Sequence, residues 1–167
     1  MFHSNVSKPF IGVEGNKIKI EFMKLIISLL FMSVLSFSPE TKEGDVILGT
    51  WLTDENKAKI EVYKQKGLYH GRIIWLKEPL NEKGKPKLDK ENNDKSMRQR
   101  PVIGMNLIQG FEFKGDKWEG GEIYDPENGK TYSCVIKMKG NKLEVRGYVG
   151  MTMFGRTVIW TRAKVTD

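Results

Sequence analysis

From Val46 to the end of the chain, apolar residues recur at every second position and glycines punctuate the runs. A period of two belongs to an extended strand with one buried face. Residues 57–65 set Ala58, Ile60 and Val62 against Lys57, Lys59, Glu61 and Gln65. Residues 131–139 set Tyr132, Cys134, Ile136 and Met138 against Thr131, Ser133, Lys137 and Lys139. Residues 142–149 set Leu143, Val145 and Val149 against Lys142, Glu144 and Arg146. Turn-forming residues fall between the runs: Asp54-Glu55-Asn56, Lys66-Gly67, Lys114-Gly115-Asp116, Asp125-Pro126, Asn128-Gly129 and Gly140-Asn141. The pattern predicts eight strands, at about 46–53, 57–65, 68–76, 102–113, 117–124, 130–139, 142–150 and 156–165. Short links favour an all-β, antiparallel up-and-down barrel, which has no exposed edge. A barrel of this size either fills its interior with side chains or holds one small ligand.

Two irregularities stand out. Gly120-Gly121 interrupts the fifth strand, and a bulge there would bring Trp118 and Ile123 onto one face. The long connection at 77–100 is polar and carries Pro79, Gly84 and Pro86. A loop of that length is typically a lid, a binding loop or disordered, with room for a short helix near 94–99.

Ahead of the strands, Met23-Lys24 precedes an apolar run from Leu25 to Phe37 that stops at Pro39. Its thirteen residues are fewer than the roughly 20 that span a bilayer. A lysine, a short apolar core and small residues at its end make a secretory signal peptide at 23–38, cleaved after Ser36 or Ser38. Residues 1–22 then read as an extension or a start assigned too early, and 39–167 as one barrel domain. The expected location is periplasmic or secreted, not integral to the membrane.

Without the first 38 residues the chain carries 24 basic and 19 acidic side chains, a net charge of +5. For an exported protein that excess suits an envelope lipid or glycan better than nucleic acid. Cys134 is the single cysteine, so no intramolecular disulfide can form, and its alternation predicts a small buried side chain. His3 and His70 are the only histidines, which removes histidine-based zinc sites and histidine–serine triads. No catalytic constellation, metal site or cofactor is expected.

Gly49-Thr-Trp51 and Trp160-Thr-Arg162 resemble the lipocalin and calycin arrangement. There, an early tryptophan packs at the barrel base beneath a late arginine. A longer set follows in order: Asp89 with Asn92, Arg100-Pro-Val-Ile-Gly104, the run from Trp118 to Pro126, Gly129-Lys-Thr-Tyr132, the run from Leu143 to Gly150, and Phe154-Gly-Arg-Thr157. These resemble the bacterial family called domain of unknown function 2147. The resemblance implies a small exported protein of lipocalin-like fold and supplies no reaction.

Arg100, Arg146 and Arg156 could together hold a carboxylate or phosphate. Alternatively they pair with Asp89, Asp94 or Asp125 and tie the long loop to the barrel; the register of Arg146 points it outward. Asp125 reads first as a turn residue. Ile60, Val62, Trp118, Tyr132, Ile136, Met138, Val145, Met151 and Phe154 are candidates for the barrel interior. Tyr124 and Tyr132 are candidate polar anchors, and Met138, Met151 and Met153 a candidate adaptable lining. The expected function is a carrier or scavenger of a small apolar molecule such as a fatty acid or lipid fragment. The alternative is an envelope-interaction module with a solid barrel and a basic or aromatic outer surface.

Overall fold

Eight antiparallel strands close on themselves in sequence order in the computed structural model, as the period of two predicts. They are β1 (Gly49–Leu52), β2 (Ala58–Gln65), β3 (Leu68–Leu76), β4 (Asn106–Lys114), β5 (Lys117–Asp125), β6 (Lys130–Lys139), β7 (Lys142–Tyr148) and β8 (Arg156–Arg162). The structure describes residues 43–164 together with Met23. The rest of the proposed leader and of the extension ahead of it lies outside the described residues. The barrel belongs to one compact unit, Lys42–Asp167.

The two-residue links of the hairpins β2–β3, β4–β5 and β6–β7 all lie at one end of the barrel. The other end carries the β1–β2, β3–β4, β5–β6 and β7–β8 connections. That alternation, dictated by up-and-down topology, gives the molecule a closed end and a loop-rich end.

The closed end is sealed by an element that alternation does not reveal. Residues 46–48 were expected to open the first strand. Instead Glu43–Ile47 forms a 3-10 helix, and Ile47 is buried beneath the barrel. Trp51 donates its indole N–H to the Ile47 carbonyl at 2.7 Å, and Trp118 donates to Gly44 at 3.2 Å. Gly44 lies so close to Phe113 and the Tyr69 hydroxyl that a Cβ would collide with both. Tyr69 and Lys64 both donate to the Asp45 carboxylate at 2.6 Å.

The lipocalin-like latch is present. The Arg162 guanidinium lies 4.0 Å from the centre of the Trp51 ring and donates to Leu48 at 2.6 Å and Val46 at 2.7 Å. The seam it closes is short: Trp51 pairs with Arg162, and Leu52 with Thr161.

The expected bulge in β5 also forms, with the register shifting between Trp118 and Gly121. Gly120 takes φ +79°, and a Cβ on Gly121 would strike the Phe111 ring and the Gln109 carbonyl. Trp118 and Ile123 both pack into the core as a result.

Cys134 is buried as a small apolar side chain, and burial pushes its thiol up to about 12. Trp51, Phe111, Trp118, Ile136, Leu143 and Val145 are fully buried, so the closed half of the interior is solid.

Candidate functional site

Toward the loop-rich end the packing opens into a cavity of about 910 Å³. Its apolar wall comes from Ala58 and Ile60 on β2, Ile73 and Leu76 on β3, Leu107 on β4, and Val158 and Trp160 on β8, with Val102 from the long connection. These residues lie near one another because β8, β1, β2, β3 and β4 are successive neighbours in the closed sheet. The rim is charged with both signs: Asp54, Glu55 and Lys57 after β1, Lys77, Glu78, Lys87, Lys90 and Glu91 on the long connection, Asp125 ending β5 with Glu127 beyond it, and Arg156 opening β8. Lys57 pairs with Glu55 at 2.9 Å and Lys87 with Glu78 at 3.3 Å. An apolar pocket with a polar entrance can seat an amphiphile, tail inward.

Of the residues expected to line the interior, Ile60 reaches this cavity. Val62, Trp118, Ile136 and Val145 are buried in the solid half, and Met138 packs partly buried against it. Tyr132 is half-buried, and its hydroxyl accepts from Asn128 at 3.0 Å at the loop-rich end. Met151 and Phe154 are 60% and 72% exposed and do not face the interior, and Met153, at 69%, does not line it either. They sit in the β7–β8 connection, where strand alternation no longer governs direction. Thr152–Phe154 forms a 3-10 turn there.

Tyr124 is buried, but against the long connection rather than the cavity. It donates its hydroxyl to Asp89 at 2.6 Å. Asp89 is completely buried and also accepts from Asn92 at 2.7 Å and from Arg100 Nε at 2.9 Å and Nη2 at 2.8 Å. Burial pushes the Asp89 carboxyl upward. The hydrogen bonds from Tyr124, Asn92 and Arg100, with the guanidinium charge, outweigh it and hold the pKa below the usual carboxylate value. Burial, then the hydrogen bond and charge of Asp89, push the Tyr124 hydroxyl up to about 12.

This cluster staples the connection to β5. Strand β4 starts at Asn106 rather than near 102, so the connection runs from 77 to 105. It contains bridges between Leu80 and Pro86 and between Leu88 and Pro101, and a 3-10 turn at Lys95–Met97 capped by Asp94. Gly129, at φ +71°, lets the chain at Glu91 press directly on the β5–β6 turn, where a Cβ would collide with it.

The three arginines do not converge on an anion. Arg100 ties down the long connection through Asp89. Arg146 donates to the carbonyls of Thr152 at 2.8 Å and Met153 at 3.2 Å and to the Thr157 hydroxyl at 2.8 Å, holding the β7–β8 connection. Arg156 stands exposed on the rim. Asp125 accepts from the Glu127 amide and the Asn128 side chain, as a turn residue does. No helix among the described residues is long and apolar enough to cross a membrane.

A profile of the family described as uncharacterized protein conserved in bacteria, domain of unknown function 2147, matches residues 49–162. The chain belongs to that family. The match begins at the glycine that opens β1 and ends at the latch arginine, so the family unit is the barrel with its stapled connection. Among solved structures, protein HP1028 of Helicobacter pylori, described as belonging to the lipocalin family, is similar at 25% identity and a TM-score of 0.62. The similarity covers 71% of this chain and 83% of that one. No curated protein matches.

Proposed function

We propose that this family member is an exported binding protein that carries or scavenges a small apolar molecule, such as a fatty acid or lipid fragment, in the open half of its barrel. The observation that carries the reading is the cavity itself: about 910 Å³, apolar in its depth and charged at its mouth. Similarity to a protein described as a lipocalin supports it, because barrels of this size can enclose one small ligand. The tail would lie against Ile60, Ile73, Leu107, Val158 and Trp160, and a polar head would remain among the rim charges. Nothing in this arrangement calls for turnover of the ligand; the chemistry is burial.

A matched pair of substitutions tests the site. Ala58 borders the cavity, so Ala58→Phe has free space to enter. It should leave the melting temperature nearly unchanged while abolishing uptake of a fluorescent fatty-acid analogue. Cys134 sits in packed core, and Cys134→Phe should cost about 1–3 kcal/mol by overpacking. Unaltered uptake by Ala58→Phe, or a wild-type protein that binds neither the analogue nor any copurifying lipid by native mass spectrometry, would refute the carrier.

Export rests on the run from Leu25 to Phe37 and has its own measurement. N-terminal sequencing of protein recovered outside the cytoplasm should find a terminus just after Ser36 or Ser38. An intact Met1 there would overturn this reading.

A further inference from the structure

The β7–β8 connection is built unlike an ordinary surface loop. Residues 147–155 contain no charged side chain and are flanked by Arg146 and Arg156, both cationic. Val149, Met151, Met153 and Phe154 are 70%, 60%, 69% and 72% exposed. Loops that expose so much apolar surface normally keep their backbone in water, because unpaired peptide groups are costly to bury.

Here several of those groups are already paired. Arg146 takes up the Thr152 and Met153 carbonyls. The Phe154 amide bonds to Met151, and the Gly155 amide to Thr152, which therefore accepts twice. Three carbonyls and one amide of residues 149–154 are thus satisfied without water, and the loop borders the cavity mouth through Arg156.

We propose that the loop at 149–154 is a lipid-surface docking element that seats the mouth of the barrel on a membrane containing anionic lipid. Met151, Met153 and Phe154 enter the boundary between headgroups and acyl chains. Arg156 meets lipid phosphate at the level of the rim, in the manner of an interfacial segment with apolar and cationic faces. The pattern favours a lipid surface: an uncharged, exposed apolar stretch beside Arg156 matches its apolar boundary and phosphate layer in turn. The proposal goes beyond ligand carriage and does not require the cavity to be filled, although docking there would place the cavity where apolar molecules partition.

The run from Leu25 to Phe37 can by itself attach the full chain to vesicles, so the test reads the loop locally. Cys134 is buried and its thiol is pushed up to about 12, which leaves an introduced surface cysteine as the reactive site. Met153→Cys, and Asn141→Cys at the closed end as a control, are labelled with an environment-sensitive fluorophore. Each is then mixed with vesicles of phosphatidylcholine and phosphatidylglycerol.

The label at 153 should brighten severalfold and shift to the blue, the label at 141 should not, and adding Phe154→Asp or Met151→Asp should remove the response at 153. A label at 153 that stays water-like while the protein sediments with vesicles would overturn the proposal. So would equal responses at both positions, or no association at all. Uptake of the fatty-acid analogue in solution, measured separately, tells failure of docking from failure of carriage.

Discussion

Arg100→Ala should destabilise the barrel by roughly 3–5 kcal/mol, because it leaves the fully buried Asp89 carboxylate without its counter-charge. The loss should be local in its first expression. Amide exchange should accelerate across 77–105 before the strands respond, since Asp89 and Arg100 join that connection to Tyr124 on β5. Arg100→Lys should recover only part of the stability, because an ammonium cannot place two donors on one carboxylate oxygen as the guanidinium does.

The pH dependence has a definite sign. The folded pKa of Asp89 lies below its unfolded value, so its contribution is complete above the unfolded value of about 3.9 and is lost as pH falls through the folded one. Tyr124 works in the opposite direction: its contribution is complete below the ordinary value of about 10 and is lost as pH rises toward about 12. Asp89→Asn should flatten the acid limb of the stability profile. Chemical denaturation across pH measures both effects, and an Arg100→Ala loss below about 1 kcal/mol, typical of an exposed pair, would show the staple to be superficial.

At the opposite end, Trp51→Ala should cost about 3–5 kcal/mol as the truncation of a fully buried indole. Part of that loss belongs to Arg162. A double-mutant cycle with Arg162→Ala should return a coupling of about 0.5–2 kcal/mol, the range for a cation over an aromatic face. Strictly additive losses would mean that the arginine serves only the Leu48 and Val46 carbonyls and that its position over the ring is incidental.

The latch was legible in the sequence because its two ends carry distinctive residue types, Gly49-Thr-Trp51 and Trp160-Thr-Arg162, on strands that alternation locates. The bulge was legible for a similar reason, since Gly120-Gly121 is a local signal. Its further consequence was missed. A bulge that turns Trp118 and Ile123 inward turns Tyr124 outward, so Tyr124 meets Asp89 and cannot anchor a ligand inside.

Most of the cavity wall was missed because a strand pattern says which residues face in, not how far each lies from the mouth. Ala58, Leu76 and Val158 lie at or near the strand ends that meet the loops, a level visible only once the meander is laid out. Met151 and Phe154 lie beyond Tyr148, where β7 stops and alternation no longer says which way a side chain points. The seal at Glu43–Ile47 was missed because Val46-Ile47-Leu48 is as apolar as a strand, and its 3-10 form is decided by partners far away in the chain.

That distance governs the order in which the barrel can be made. The carbonyls of Val46 and Leu48 are held by a residue 116 and 114 positions later. During synthesis, the segment that seals the base emerges long before the strand that fastens it. Contacts so remote in sequence form late and make folding slow. Until β8 arrives, β1 and β7 remain open edges and the Trp51 ring lacks its arginine cover. The nascent chain therefore completes its seal only with its final strand, although Trp51, Trp118, Tyr69 and Lys64 can engage the sealing segment earlier.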